Sequence, residues 1–203
     1  MTLFNFLLRR PCPISVYMIV VPSQRCAVTS VIDENGQLKI TIANKNLGNR
    51  FIHGFSLDGY NDLNKKLKFN YSLTYTKGDN NESYGPLPSI SPLFGSLALS
   101  YVNKDLKIQG VFKFSDSKDP NEYSRGGEDG LDETPFIINQ DGLKDFLGTP
   151  KWSDLSIYAS KKVSSNSTLR LGITNIFDIH YRTFASGISA PGRSFQAGLN
   201  LKL

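Results

Sequence analysis

Apolar and polar residues alternate over much of this chain, and this alternation limits the folds that the chain can adopt. From about residue 38 to the end, an apolar side chain stands at every second position in one short segment after another. A period of two residues is the pattern of β-strands whose two faces meet different surroundings. We therefore predict an all-β protein with about eight or nine strands in an antiparallel meander.

Four segments show the clearest alternation: "LKFNYSLTY", "LKIQGVFKF", "LRLGITNIF" and "SFQAGLNLKL". In each segment, alternate residues lie on one face of the predicted strand: Leu67, Phe69, Tyr71, Leu73, Tyr75, Leu106, Ile108, Gly110, Phe112, Phe114, Leu169, Leu171, Ile173, Phe177, Phe195, Ala197, Leu199, Leu201 and Leu203. Weaker patterns occur in "FIHGFSLDGY", "FGSLALSYV" and "WSDLSIYASKKV". Short strands are also predicted in "TLFNFLLRR" and "QLKITIAN".

The residues between the apolar positions are small or hydrophilic. This pattern fits a soluble sandwich with its polar face in solvent, and it equally fits a membrane barrel with its apolar face in lipid. The connections favour the barrel, because short polar turns alternate with long segments, as in outer-membrane barrels. Aromatic residues gather near the predicted strand ends, as in interfacial girdles: Tyr71, Tyr75, Tyr101, Trp152, Tyr158, Tyr181 and Phe184.

Composition argues against several other classes. The longest strongly apolar run, "ISVYMIVV", is shorter than the roughly 20 residues of a membrane-spanning helix. The net charge of +5 is spread over strand ends and turns, without the basic stripe of a nucleic-acid-binding protein, so no nucleic-acid partner is expected. Cys12 and Cys26 form no cysteine framework, which leaves one disulfide or two unpaired thiols open. Apolar residues precede Arg9 and Arg10, the reverse of the order in a signal peptide.

The end of the chain carries a family resemblance. In "LRLGITNIFDIHYRTFASGISAPGRSFQAGLNLKL" a glycine is followed by Asn-Ile-Phe-Asp, a tyrosine and Pro-Gly-Arg before the last strand. This order resembles the close of TonB-dependent outer-membrane receptors, and the matching residues are Gly172, Asn175, Phe177, Asp178, Tyr181, Pro191, Gly192 and Arg193. "NLGNRFIHGFSLDGY" and "YTKGDNNESYGPLPSISPLFGSLALSY" resemble earlier segments of the same barrels.

The resemblance divides the chain into two parts. Residues 46–203 resemble the C-terminal portion of the receptor barrel, and residues 1–45 form an atypical N-terminal segment with one or two strands. Residues 11–30 do not look like barrel sequence. The implied fold is a partial transmembrane β-barrel, either an open curved sheet or a small barrel, without a recognisable plug domain. The family usually ends in an aromatic residue, whereas this chain ends in Leu203.

The resemblance also implies a function. Such receptors take up scarce ligands with energy from the TonB system, which acts through a plug domain, and ferric siderophores or haem are the most common ligands. The implied location is the outer membrane of a Gram-negative bacterium, with the barrel assembly machinery and membrane lipid as partners. No cofactor is implied. The alternative is a free-standing small barrel that acts as a binding or adhesion module.

The motif residues can be assigned structural roles. Asn175 and Asp178 are expected to start a turn through hydrogen bonds to the local backbone. Phe177 and Tyr181 are expected to anchor the barrel at the outer interface. Pro191 and Gly192 would begin the return strand, and Arg193 would mark the point where that strand leaves the polar zone.

No catalytic constellation is visible, so we predict that the protein is not an enzyme. His53 and His180 are far apart in sequence and have no partner at metal-ligand spacing. The acidic segment "GGEDGLDE" does not match a calcium-binding loop. Ligand contacts are instead expected in the long loops, which should face outward. The candidates are Tyr123, Arg125, Glu128, Asp129, Asp132, His180, Tyr181 and Arg182.

Overall fold

The protein is built from β-strands, as the alternation predicted. The computed structural model describes residues 14–32, 38–81 and 85–202. The strands are β1 (Ile14–Ile32), β2 (Leu38–Asp62), β3 (Leu67–Gly78), β4 (Asn80–Asn81), β5 (Gly85–Pro86), β6 (Phe94–Asn103), β7 (Leu106–Ser115), β8 (Phe136–Ile138), β9 (Lys144–Phe146), β10 (Trp152–Lys162), β11 (Ser167–Thr174) and β12 (Ser194–Leu201). Two short 3-10 helices cover Pro120–Glu122 and Leu131–Glu133.

Eight strands form one antiparallel sheet in the order β1-β2-β3-β6-β7-β10-β11-β12. Each strand of this sheet pairs with the next one along the chain, apart from small strands inserted in the loops, so the predicted meander is confirmed. The sheet is open: β1 and β12 lie at its two edges and do not pair with each other. Of the two predicted forms, the structure therefore has the open curved sheet rather than a closed small barrel.

The connections differ in length at the two ends of the sheet. Residues 63–66, 104–105 and 163–166 make tight turns at one end, which we call the short-turn end. Residues 79–93, 116–151 and 175–193 make long connections at the other end, and we call them loops A, B and C. The small β4–β5 and β8–β9 sheets lie within loops A and B. The alternation of short turns and long loops follows the sequence prediction.

One face of the sheet is apolar and uncovered. The pairing places Phe69 opposite Leu99 and Ile173 opposite both Ile157 and Phe195, so apolar residues of neighbouring strands lie side by side. Phe195 is 75% exposed. Within the described residues, the buried apolar side chains are Leu87 and Tyr123, neither of which lies on this face. A sandwich would bury such a face against a second sheet, so the fold is not a sandwich.

The opposite face carries small and polar side chains. Ser72 and Ser96 are paired across β3 and β6 with 3.0 Å between their hydroxyl oxygens, and Tyr17 and Thr76 approach to 2.5 Å. Cross-strand hydrogen bonds of this kind contribute about 0.2–1 kcal/mol each. The two faces therefore have the composition of a barrel wall, with an apolar outside and a polar inside.

The N-terminal part differs from the expectation. Residues 11–30 showed no barrel pattern, yet β1 occupies Ile14–Ile32 and pairs with β2 along its length, with a register shift at Pro22. The proposed division at residue 46 falls inside β2, which is continuous from Leu38 to Asp62. The pairing of β2 with β3 begins at Ile52, so residues 38–51 extend past β3 at the loop end. The strand predicted in "TLFNFLLRR", and any pairing of Cys12 with Cys26, lie outside the described residues.

Candidate ligand-binding loops

Loops A, B and C pack against one another at one end of the sheet. The Lys118 ammonium group in loop B donates to the Ile90 carbonyl oxygen in loop A at 2.6 Å. The Ser89 amide in loop A donates to Asp129 Oδ1 in loop B at 2.7 Å. Arg182 in loop C donates from Nη1 to the Glu133 carbonyl oxygen in loop B at 2.9 Å. We call this assembly the loop unit.

A buried lysine lies at the centre of the loop unit. The Lys118 side chain is 3% exposed, and its Nζ lies 3.4 Å from Asp129 Oδ2 and 4.0 Å from the centre of the Phe184 ring. Burial lowers the pKa of Lys118 from its ordinary value, and the Asp129 carboxylate partly opposes this shift. Carboxylate, carbonyl oxygen and aromatic face together compensate the removal of the ammonium group from water.

Tyr123 packs beside this lysine. Its hydroxyl lies 2.5 Å from Thr149 Oγ1, and its ring meets Phe184 edge to face with 5.9 Å between the ring centres. Burial raises the pKa of Tyr123, so the phenol stays protonated over a wider pH range. The backbones of Lys118 and Thr149 also exchange two hydrogen bonds of 2.9 and 3.0 Å, which closes the base of loop B.

A second buried cation fastens loop A to the sheet. Arg50 of β2 is 2% exposed. Its Nε donates to Asp79 Oδ1 at 2.7 Å, and its Nη2 donates to the carbonyl oxygens of Asp79 and Gly85 at 3.0 and 2.9 Å. Neither Arg50 nor Lys118 was among the sequence-predicted site residues. A single buried arginine or lysine leaves no periodic signal, because its partners are distant in sequence.

The structure separates the five loop-B candidates into two groups. Arg125, Glu128 and Asp132 are exposed, as the prediction required of ligand contacts. Tyr123 and Asp129 are 4% and 2% exposed, so they hold the loop unit together instead of facing outward. The expectation that all five side chains face outward was therefore wrong for these two.

The three loop-C candidates make contacts within loop C and with β10. His180 Nε2 and Arg182 Nε both contact Ser189 Oγ, at 3.0 and 3.2 Å. Tyr181 instead stacks on Trp152 with 4.2 Å between the ring centres. These contacts fold loop C back on itself and against β10. The side chain of His180 is exposed, as is that of His53.

The family-motif residues shape the start and the end of loop C. Asn175 has a positive φ of 48°. Its Nδ2 donates to the carbonyl oxygens of Ile179 and Pro191 at 2.8 and 3.1 Å, and its Oδ1 accepts the Ile179 amide at 2.9 Å. Asp178 Oδ1 accepts the Arg193 amide at 2.7 Å. These bonds join both ends of the loop, so the side chains reach farther along the chain than the local turn that we expected.

The remaining motif residues differ in their surroundings. Phe177 is 64% exposed, as an interfacial anchor would be. Gly172 lies beneath the Tyr158 ring, and a Cβ atom there would stand 3.0 Å from Tyr158 Cδ1. Pro191, Gly192 and Arg193 are exposed where the chain returns to β12.

The described part of the chain offers no metal centre and no membrane helix. No three His, Cys, Asp or Glu side chains in it are grouped so that they could hold a metal ion. No helix in it is long and apolar enough to cross a membrane.

An open antiparallel sheet with one apolar face, one polar face and loops A, B and C at one end is the class of fold expected of part of a β-barrel. Comparison with solved structures specifies which barrel. The copper transporter OprC superposes with a TM-score of 0.65 at 23% sequence identity, over 93% of this chain and 27% of that one. The ferric enterobactin receptor PfeA from Pseudomonas aeruginosa superposes with a TM-score of 0.68 at 17% identity, over 93% of this chain and 28% of that one.

The siderophore receptor PirA from Acinetobacter baumannii gives a TM-score of 0.61 at 17% identity, over 93% of this chain and 29% of that one. These neighbours are TonB-dependent receptors, so the chain has the fold of part of a TonB-dependent receptor barrel. It spans less than a third of the length of each. No protein-family model matches the sequence, and no curated protein matches it either.

Proposed function

We propose that this chain is part of an outer-membrane receptor for a scarce ligand, and that the loop unit contributes to ligand capture. The main observation in support is the position of the loop unit. Three long loops are packed into one body at one end of the open sheet. Loops held on a rigid sheet are the usual location of binding residues.

The two contrasting faces of the sheet support a position within a membrane. A continuous apolar face next to a polar face suits a wall between lipid and a hydrated interior. The outer membrane of a Gram-negative bacterium is the compartment in which we place the chain, with insertion by the barrel assembly machinery. The short-turn end would then face the periplasm, and the loop unit would face the outside.

A ferric siderophore or haem is the ligand class that we propose. Support comes from the names of similar structures, which include a siderophore receptor and a ferric enterobactin receptor, although one neighbour is named a copper transporter. Arg125, Glu128, Asp132 and His180 are the exposed loop side chains that we propose as contacts. Uptake in the complete receptor would be driven by the TonB system through a plug domain, without covalent chemistry.

Location can be tested by cell fractionation together with heat-modifiable gel migration. We expect the chain in the outer-membrane fraction, with an unheated band that migrates differently from the boiled band. Recovery of the chain in a buffer-soluble fraction, with one band in both conditions, would contradict the membrane assignment.

Ligand binding can be tested on the chain in vesicles of outer-membrane lipid. Ferric enterobactin, metal-free enterobactin, haem and copper ions are compared by equilibrium binding. We expect a ferric siderophore or haem to bind best and the Arg125→Gln, His180→Gln variant to bind it more weakly. Lys66→Gln at the short-turn end is the matched control. Equal binding by all three proteins would argue against the loop unit as the site.

A further inference from the structure

Two buried polar atoms on the polar face of the sheet have no hydrogen-bond partner among the described residues. Trp152 and Asp154 stand two residues apart on β10, so their side chains point to the same face. Asp154 is 7% exposed. Its Oδ1 and the indole Nε1 of Trp152 are buried, and neither has a hydrogen-bond partner among the described residues. A buried polar group without a partner costs about 1–3 kcal/mol, so a partner supplied by another molecule is expected.

The surroundings of Asp154 do not neutralise its charge. Lys113 stands directly opposite Asp154 in the pairing of β7 with β10, yet the two residues form no ion pair in the described structure. The other carboxylate oxygen of Asp154, Oδ2, accepts a long hydrogen bond of 3.4 Å from Ser156 Oγ. Oδ1 thus has neither a hydrogen-bond partner nor a counter-charge among the described residues.

An aromatic wall flanks this carboxylate. Tyr181 from loop C lies almost parallel to Trp152, with 4.2 Å between ring centres and 20° between ring planes. Burial, with a smaller contribution from the charge of Asp154, raises the pKa of Tyr181 and keeps its phenol neutral. Trp152 also lines an open cleft of about 430 Å³ at the ends of β7 and β10, which it shares with Ser115, Ser153 and Ile179 and which does not include Asp154.

These groups suit one kind of ligand. A carboxylate oxygen next to aromatic rings favours a cation with N–H donors. The indole N–H requires an acceptor, which a cation alone does not provide. An arginine residue in a peptide supplies both, because its guanidinium group is a planar donor and the neighbouring peptide group carries a carbonyl oxygen.

We propose that Trp152, Asp154 and Tyr181 form a binding site for a guanidinium-bearing peptide segment. The guanidinium group donates to Asp154 Oδ1 beside the Trp152–Tyr181 pair, and a peptide carbonyl accepts the Trp152 N–H. The site lies on the sheet and at the root of loop C, apart from the exposed loop-B side chains proposed for ligand capture. It does not depend on the identity of the transported ligand.

Trp152 makes the site directly observable, because the chain has a single tryptophan. The full chain, folded in detergent micelles, is titrated with N-acetyl-arginine amide while tryptophan fluorescence is followed at constant ionic strength. N-acetyl-citrulline amide, which has a similar shape without the charge, is the ligand control. We expect a saturable change with the arginine compound, and binding of the citrulline compound weaker by about tenfold, since a charge-assisted hydrogen bond is lost.

Variants test the assignment to Asp154. Asp154→Asn should weaken arginine binding by about tenfold, whereas Asp62→Asn at the short-turn end should leave it unchanged. Circular dichroism and heat-modifiable migration show whether each variant is folded. If Asp154→Asn does not fold, Lys113→Gln tests the role of Asp154 instead. Removal of the cation opposite Asp154 should strengthen arginine binding. No saturable change in the native chain, or equal binding by folded Asp154→Asn, would overturn the site.

Ligands of different length show whether the guanidinium group belongs to a peptide or to a small molecule. A short arginine-containing peptide that binds more tightly than the single-residue amide supports a polypeptide segment as the occupant. Equal binding of the two compounds overturns that part of the proposal and indicates a small guanidinium compound instead.

Discussion

Lys118 and Asp129 form a buried ion pair, with 3.4 Å between Nζ and Oδ2 and with side chains that are 3% and 1% exposed. The same ammonium group donates to Ile90 of loop A, and the same carboxylate accepts the Ser89 amide. Each partner of the pair therefore holds loop A to loop B. We therefore expect this ion pair to keep the two loops together as one body.

We expect Asp129→Asn to loosen the loop unit strongly. The substitution leaves Lys118 as a buried cation without its counter-charge, and breaking a buried pair in this way costs about 3–5 kcal/mol. Limited proteolysis within residues 79–93 and hydrogen exchange at the Ser89 and Thr149 amides should both accelerate.

Asp132→Asn is the matched control, because Asp132 belongs to the same loop and is exposed. Its proteolysis rate should equal that of the native chain. The double variant Lys118→Met, Asp129→Leu should recover most of the lost stability, since apolar residues of similar volume often replace a buried pair without loss. A native proteolysis rate in Asp129→Asn would show that the pair does not hold the loops.

Substitutions of Asn175 should separate its backbone role from its side-chain role. Asn175→Gly keeps the positive φ of 48° but removes three hydrogen bonds, at about 1 kcal/mol each. Asn175→Ala loses the same bonds and adds about 1–2 kcal/mol of left-handed strain. Thermal unfolding should therefore rank the stabilities as native, then glycine, then alanine. The exposed Asn200→Ala serves as the control, and equal stability of all four proteins would refute the role.

The strands were predictable because their signal is local. Alternation between faces is imposed on every strand by the geometry of the backbone, so Leu67 to Tyr75 or Phe195 to Leu201 indicate a strand without knowledge of their neighbours. The terminal motif was informative for a similar reason, since Asn175, Asp178 and Pro191 lie within one loop.

Strand β1 was missed for an identifiable reason. Its register shifts at Pro22, and proline is tolerated in sheets mainly at edges and bulges because it has no N–H to donate. The regular pairing of β1 with β2 is interrupted between Pro22 and Gln24. An edge strand with a bulge thus does not have the sequence signature of the strands inside the sheet.

The interior of the loop unit was not predictable from the sequence. Asp129 and Ser89 are separated by 40 residues, and no local pattern connects them. The general rule that loops lie on the surface led to the expectation that Tyr123 and Asp129 face outward. It failed here because loops A, B and C are long enough to cover one another.

The apolar face of the sheet should respond to charge in a way that its polar face does not. Leu99 lies on the apolar face and is 47% exposed, and its chain neighbour Ala98 points to the polar face. Leu99→Arg should lower the stability of the lipid-inserted chain by about 2–4 kcal/mol, the cost of arginine near the middle of a bilayer. Ala98→Arg should have a much smaller effect.

The stabilities of Leu99→Arg and Ala98→Arg can be compared by denaturant titration in lipid vesicles, with the heat-modifiable band as the measure of folded chain. If the two arginine variants were equally stable, the apolar face would not contact lipid. If Ala98→Arg were the less stable one, the assignment of the two faces would be reversed.

Two tyrosines of the loop unit should lose their phenolic protons at higher pH than an exposed tyrosine does. Burial raises the pKa of Tyr123 and Tyr181 above the ordinary value of 10.0. The unfolded chain therefore loses these phenolic protons at lower pH than the folded chain does. The stabilisation from the buried phenols is complete below pH 10.0 and decreases as the pH rises through the folded-state pKa values.

Tyrosinate absorbance followed during a pH titration measures this directly. The native chain should show a high-pH component that Tyr123→Phe reduces. Thr149→Val should shift that component to still higher pH, because the hydrogen bond from Thr149 opposes the effect of burial on the pKa of Tyr123. A high-pH component unchanged in Tyr123→Phe would mean that this phenol is not buried in solution. The packing of loop B against loop C through Phe184 would then have to be revised.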